Sequence, residues 1–556
     1  MLSSILVKRR RHLGLLSPIA ALALLCSPHQ AARPQSSVDA PRVGLIEIER
    51  LPIFPNNAEA GLPWFMRATN RLHAMTRETV IRRELLFREG DPIDTLRLRE
   101  SEYLLRQRGL FEWAAIDHQV RDSMAVVRVR TQDLWTLGII LSYEKQAEIS
   151  SLTFGMRDRN FLGSGNTLYW SQMLSTDQDA FIGMVELPRL AATRGSLSLQ
   201  FSEQGEAATR SIGLGRLPET PLDEWGWGIG GHLTRGEKRF FQSGEEVGSS
   251  GFERQSAGVH LGRYPSGALQ VGYGAGWVER RIDPHGEAKS LLEEAPPPPA
   301  FEKRRHGGPL AFACATSRRF VPAMNLERYG VVEDYPVGFM GHLTALPNRR
   351  WREDRDHAFL LQSTLAGALI PLPHLSIGIE AYGDLFLRSD RRAGDRLLRG
   401  AMTAMWQPSP RLLTIAQGFL LRGKERPATS VHYLGGASGL RGFTTREFEA
   451  RDYLLATLEQ RIWSGIEVAW VGIGANLFVD AGLPSPREGF RGVSWRGGLG
   501  GGLLLGLRKS SQKPIRVEIA WRTDREADPT VSIATSTVLR LIPKLAIPTP
   551  IFDPPR

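Results

Sequence analysis

From Trp135 to Leu541, apolar and polar positions alternate with a period of two. Trp135, Leu137, Ile139, Leu141 and Tyr143 share one face. Leu269, Val271, Tyr273, Ala275 and Trp277 alternate with Gln270 and glycines, and Ile515, Val517, Ile519 and Trp521 with Arg516, Glu518 and Arg522. Val531, Ile533, Thr535, Thr537, Leu539 and Leu541 close the series. Alternation of this kind marks strands that bury one face. A soluble sandwich also alternates. Segments of roughly ten residues, repeated over roughly 400 residues with no helix between them, predict a transmembrane antiparallel β-barrel instead. Tight connections such as Pro371–Pro373 and Pro408–Pro410 trade with long ones such as 282–307, the short-turn and long-loop sides of a barrel. About 18 to 20 candidate strands can be counted over 135–542.

The period changes before Trp135. Val43, Leu45, Ile46 and Ile48 read as a strand. Thr76 to Phe87 has helical spacing, with Thr76 to Thr79 as its start, and Glu89-Gly90-Asp91-Pro92 breaks it. Asp94 caps a second helix to Gln107, which Gly109 ends. Trp113–Val120 and Met124–Arg130 read as two short strands. The expectation is a small α/β domain over 42–132 in the order β-α-α-β-β. Ahead of it, Lys8 to Arg11, the apolar run Leu13–Leu25 and the small residues after it have the order of a secretory signal peptide, assigned to 1–37. A retained signal anchor is the other reading. The last residues, 543–556, form a tail.

Composition narrows the picture. Beyond the N-terminus no run reaches the ~18 apolar residues of a membrane-spanning helix. Mean hydropathy is −0.21. A barrel passes that test unseen, because lipid-facing and lumen-facing residues average out. Glycine contributes 57 of 556 residues, above the usual ~7%. Net charge is +11, but the basic residues are scattered, without a basic stripe or an aromatic RNA-binding signature, so no nucleic-acid partner is expected. A charged lumen and anionic lipid headgroups account for it. Of the two cysteines, Cys26 lies in the signal segment, leaving Cys314 and no disulfide framework. No nucleophile elbow, zinc helix or phosphate loop occurs, so the chain is not expected to be an enzyme, and no cofactor or metal is expected.

The chemistry concentrates near the C-terminus. Gly439, Leu440, Arg441, Gly442 and Phe443 lie in a glycine-rich loop. Downstream, Leu455, Thr457, Glu459 and Arg461 share one side of a strand, and Asn476, Phe478, Asp480 and Gly482 one side of the next. Glu459 and Asp480 then point inward on neighbouring strands. An arginine on a loop tucked into the barrel would meet both, and a guanidinium binds carboxylates in a bidentate fork. Two inward carboxylates without a cation would be poorly compensated. A catalytic carboxylate pair is the competing reading.

Here the chain resembles the BamA/TamA superfamily of outer-membrane assembly and secretion proteins, which includes bacterial surface antigens. Gly439–Phe443 matches the family's Val-Arg-Gly-Phe/Tyr loop with Leu440 for the valine. Phe478-Val-Asp480-Ala-Gly482 matches its Phe-x-Asp-x-Gly strand, and Glu459 its acidic residue on the preceding strand. Asp158–Asn166 resembles the early-barrel Asn-Leu-Phe-Gly-x-Gly segment. The α/β domain is similar to a POTRA domain, with a glycine before an aspartate joining the helices and a Gly-x-Phe step into the second strand. An unrelated small α/β domain is the other reading of that segment. The sequence departs from the family in three places. There is a single POTRA-like copy, 51–75 is a longer insertion, and the tail does not end in the usual aromatic residue.

The resemblance implies about 16 barrel strands, outer-membrane localisation in a Gram-negative-type bacterium and a periplasmic N-terminal domain. It implies help with insertion or translocation of other polypeptides, a lumen-tucked GLRGF loop and a lateral seam between first and last strands. Partners would be unfolded outer-membrane or secreted polypeptides and outer-membrane lipids, with accessory lipoproteins as further candidates. A dedicated secretion channel of the two-partner type and a passive porin or structural barrel remain alternatives.

Overall fold

A computed structural model describes residues 41–55, 64–121, 123–146, 149–190, 193–265, 269–291, 297–347, 359–387, 393–436, 438–534 and 541–542. The signal segment and the tail lie outside these residues. So does the part of the closing strand from Thr535 to Arg540.

The N-terminal unit is a three-stranded sheet with helices on it. The strand Arg42–Leu51 pairs in parallel with Met124–Asp133, which pairs antiparallel with Phe111–Arg121. The helix Thr95–Gln107 starts where Asp94 accepts from the backbone N–H groups of Leu96 and Arg97, and it ends at Gly109 with φ +63°. Val43, Ile81, Leu105, Phe111, Val127 and Val129 make its apolar core. Two expectations change. The insertion at 51–75 contains a further helix, Trp64–Leu72. The next helix starts at Glu78 without a side-chain cap. Thr76 is used elsewhere: its N–H and hydroxyl both donate to Asp133 Oδ2, at 2.7 and 3.0 Å.

The rest is a closed antiparallel barrel of 20 strands, Leu137–Gln146 first and Thr530–Ala534 last. Twenty is the upper end of the sequence count, not the 16 implied by resemblance. Strand length also departs from expectation. Arg304–Met324 runs 21 residues, about twice the ~9–11 needed to cross a bilayer. Along Trp225–Gln242, the exposed apolar residues Trp225, Trp227, Ile229 and Leu233 give way to exposed Arg235, so this strand continues past its apolar stretch.

Two-residue alternation sorts the faces as expected. Ile139, Leu365, Leu477, Val479 and Leu503 are exposed on the outside. Their in-strand neighbours Asn476, Phe478, Asp480 and Leu504 are buried on the inside. An apolar outer surface around a closed sheet is the form a lipid environment demands. No helix among the described residues is long and apolar enough to cross a membrane; the crossing is by strands.

The small unit docks against the end at which the chain enters the barrel. Glu84, fully buried, takes Arg108 of its own unit at 2.7 Å and Arg189 of a barrel turn at 2.6 Å. Arg106 pairs with Asp334 at 2.9 Å, and the Tyr103 ring stacks on Phe320 at 4.0 Å. Lys509, in the turn after Arg496–Leu507, reaches Glu112 at 2.9 Å and the Ile53 carbonyl at 3.1 Å. The early-barrel segment singled out in sequence, Asp158–Asn166, belongs to this joint. Asn160 Nδ2 donates to Thr76 Oγ1 at 2.8 Å, and the Gly163 carbonyl accepts from Arg77 N–H at 3.0 Å. Gly163 has φ +71°, and a Cβ there would stand 2.5 Å from the Met75 carbonyl oxygen. Only glycine fits that contact without strain.

Two outcomes follow. Leu477→Arg, mid-strand on the outer face, should destabilise the membrane-inserted barrel by about 2–4 kcal/mol if it lies near the bilayer midplane. Urea unfolding in lipid vesicles checks this, and an unchanged midpoint would contradict a lipid-facing position. Glu84→Ala removes the shared anion between two buried arginines. Limited proteolysis should then release the small unit faster while the barrel keeps its heat-modified gel mobility.

Candidate functional site

Between the strands Leu412–Lys424 and Asp452–Val468 the chain makes a 27-residue excursion, 425–451, at the end opposite the small unit. It folds inward. A miniature hairpin, His432–Leu434 with Phe448–Ala450, forms its stem. Leu434, Leu440, Phe443, Ala450 and the wall residue Leu455 form a buried apolar cluster. That cluster anchors the loop, and its tip presents Arg441 to the barrel wall.

The tip needs an unusual backbone. Gly439 and Gly442 have φ +119° and +90°. A Cβ on Gly442 would come within 2.6 Å of the Trp521 backbone. Gly482, on the wall strand, lies under Leu440, whose Cδ atoms would be 2.9 Å from an added Cβ. The Leu440–Gly482 contact is thus a knob over a bare patch of sheet.

Arg441 binds Asp480 as a two-pronged fork, Nε to Oδ2 at 2.7 Å and Nη2 to Oδ1 at 2.8 Å. Its backbone N–H also donates to Oδ2, at 3.2 Å. Nη1 donates to Glu459 Oε2 at 3.1 Å and lies 3.6 Å from Glu518. The guanidinium carbon sits 3.4 Å from the centroid of the Phe478 ring. Ion pair, fork and cation–π contact therefore converge on one side chain. The Thr457 hydroxyl donates the remaining bond to Asp480 Oδ1, at 2.8 Å. Phe443, two residues on, lies under Arg522 at 4.5 Å.

The structure thus brings Leu440, Arg441, Phe443, Glu459, Phe478, Asp480 and Gly482 together, with Gly439 and Gly442 as the hinges of the loop. The sequence reading left out half of the charge network. Glu459 is also held by Arg461 Nε at 2.7 Å and by Arg516 at 3.0 and 2.9 Å. Arg516 pairs with Glu518, which accepts from Asn476 Nδ2 at 2.6 Å. Three arginines face three carboxylates, so the network is neutral and almost fully dehydrated. Arg461 and Asn476 were visible on the inward sides of their strands, and Arg516 and Glu518 as the polar partners of Ile515 and Val517. Nothing local in the sequence said that strands so far apart would converge on Glu459.

Breaking a buried pair by removing one partner typically costs about 3–5 kcal/mol. Arg441→Ala should therefore lower barrel stability by about that amount, while export is unaffected. Arg441→Lys should recover only part, because an ammonium cannot make the fork or stack on Phe478. Heat-modified gel mobility and urea midpoints in detergent check both. A wild-type midpoint for Arg441→Ala would remove the bracing role.

No family model and no curated protein matches this sequence. Among solved structures, the chain is similar to BamA from Haemophilus ducreyi lacking POTRA domains 1–3, at 12% identity over 88% of this chain and 84% of that one, with a TM-score of 0.38. It is similar to CdiB from Acinetobacter baumannii, at 11% identity over 89% of this chain and 73% of that one, with a TM-score of 0.43. CdiB from Escherichia coli matches at 12% identity over 88% and 76%, with a TM-score of 0.44. At these scores the likenesses carry no argument. The fold stands on its own strand register and the site on its own distances.

Proposed function

We propose that the protein is an outer-membrane barrel of the BamA/TamA type that assists insertion or translocation of other polypeptides. The observation that carries this reading is the Arg441 brace, with its fork on Asp480 and its further bond to Glu459. A loop that only narrows a pore has no need of a buried, multiply bonded lock onto strands close to the closing junction. A barrel that must keep its last strands ordered while the junction next to them works has a use for such a brace. The closing junction supports the same reading. Val531, Ser532 and Ile533 face Lys145, Glu144 and Tyr143, and the Ser142 hydroxyl donates to the Ile533 carbonyl at 2.9 Å. If this seam opens sideways, its unpaired edges can template a client strand.

The small unit is read as a POTRA-like domain on the periplasmic side. Its order β-α-α-β-β, with one extra helix, supports this. Arg42–Leu51 and Phe111–Arg121 are edge strands of its sheet, open to strand addition, a sequence-tolerant mode of recognition. Clients would be unfolded outer-membrane or secreted polypeptides, with outer-membrane lipids around the barrel and accessory lipoproteins as further partners. The protein is read as a non-enzyme without cofactors.

The test is depletion followed by comparison of the outer-membrane proteome. Several other barrel proteins should fall together, and Arg441→Ala should reproduce the pattern in part. Loss of one secreted polypeptide alone would favour the dedicated secretion channel. An unchanged proteome would leave a passive barrel.

A further inference from the structure

The Arg441 network occupies one side of the lumen. The opposite side, between the strands from Trp225 to Ser409 and the stem of the inward loop, is a cavity of about 570 Å³. It is lined by Lys238, Arg254, Arg280, Arg399 and Arg426. Among the described residues, none of these five has a carboxylate within ion-pair distance. What they do contact is neutral. Lys238 donates to the carbonyls of Thr429 and Val431 at 2.6 and 2.8 Å. Arg280 reaches Gln362 at 3.3 Å, Arg426 the Arg451 carbonyl at 2.8 Å, and Arg399 lies over the Tyr382 ring at 5.8 Å. The Nε groups of Arg254 and Arg399 and His232 Nε2 are buried without a hydrogen-bond partner.

Four acids share the lining with six arginines and one lysine; Glu237 is held by Ser249 and Lys289, and Glu302 by Arg304. Asp384 Oδ1 accepts from both Gln362 Nε2 and Tyr382 OH at 2.8 Å. Asp395 lies 3.4 Å from Arg304, another arginine of the lining. Arg254 and Arg280 are also close to each other, since Ser256 faces Arg280 and Arg254 faces Ile282 across one strand pair. Like charges crowded in a half-buried space are unfavourable unless an anion joins them. The contrast within the same lumen is direct: one side neutralises each arginine, the other collects cations and leaves donors unused.

We propose that this chamber binds a soluble oxyanion carrying at least two negative charges, of the phosphate type. Arginine forks suit that geometry better than a single halide does. The lining strands are hydrogen-bonded to their neighbours along most of their length, so no gap admits a lipid headgroup from the bilayer side. The ligand enters through the mouth of the barrel. This inference does not depend on the assembly role.

The probe is inorganic pyrophosphate, titrated calorimetrically against the full chain in detergent micelles. Wild type should bind it, more weakly as salt rises. Arg254→Gln with Arg280→Gln should weaken binding at least tenfold while heat-modified mobility stays normal. Arg235→Gln, on the exposed face and outside the lining, should leave binding unchanged. If the double variant does not fold, Arg399→Gln alone carries the test, with a smaller loss expected. Absence of pyrophosphate binding, or equal binding by folded wild type and variants, would overturn the proposal. So would binding of hexaglutamate but not pyrophosphate, which would move the site to an acidic peptide. Competition by phosphatidate vesicles but not by free phosphate would move it to lipid and overturn it equally.

Discussion

In hydrocarbon, each backbone N–H or C=O left without a partner costs several kcal/mol, so a sheet that crosses a membrane has to close on itself. Most of what this structure does follows from that closure. The ladder runs in chain order from Leu137 to Ala534 and returns to its start through Val531–Ile533 against Lys145–Tyr143. Closure forces the two-residue alternation to become outside and inside. The outside must be apolar because it meets lipid. The inside collects every charge that the chain carries on the other face of its strands.

An enclosed polar lumen has its own problem, since charges there are only partly solvated. The protein meets it in two ways. Around Glu459, Asp480 and Glu518, a loop enters from the far end and brings Arg441 to complete a neutral cluster with Arg461 and Arg516. Arg441 bonds carboxylates on two strands and Glu459 takes Arg516 from a third, so the cluster ties the loop to the last third of the barrel. Across the lumen, Lys238, Arg254, Arg280, Arg399 and Arg426 have no carboxylate within ion-pair distance among the described residues. The loop stem, through Lys238 bonded to Thr429 and Val431, is a wall shared by both regions.

At the end where the chain enters the barrel, the small unit is more than an appended module. Its buried Glu84 is shared with the barrel through Arg189, and the Asp158–Asn166 turn inserts a glycine against Met75. In sequence that turn stood out by its resemblance to an early-barrel family segment. Its structural role is the fit of two backbones, which accounts for a glycine at the point of approach.

The sequence by itself determined which face of each strand is apolar, because a period of two is a local property. It also determined the helix Thr95–Gln107 through its Asp94 cap, and the opposition of Arg441 to Glu459 and Asp480, since these lie on adjacent strands whose inward sides can be counted. Strand number was less legible. A strand of 21 residues such as Arg304–Met324 protrudes from the membrane, and no change of period marks where it leaves the lipid. Tertiary structure alone decided the rest. Arg516 and Glu518 join Glu459 only because the barrel curves those strands around one lumen. Thr76 gave up capping a helix because Asp133, far off in sequence, was in reach. Four of the five cations without a carboxylate partner among the described residues come from strands and Arg426 from the inward loop, spread over some two hundred residues, and nothing local shows them as one chamber. Local periodicity reports the environment of each residue; closure of the sheet decides which residues share it.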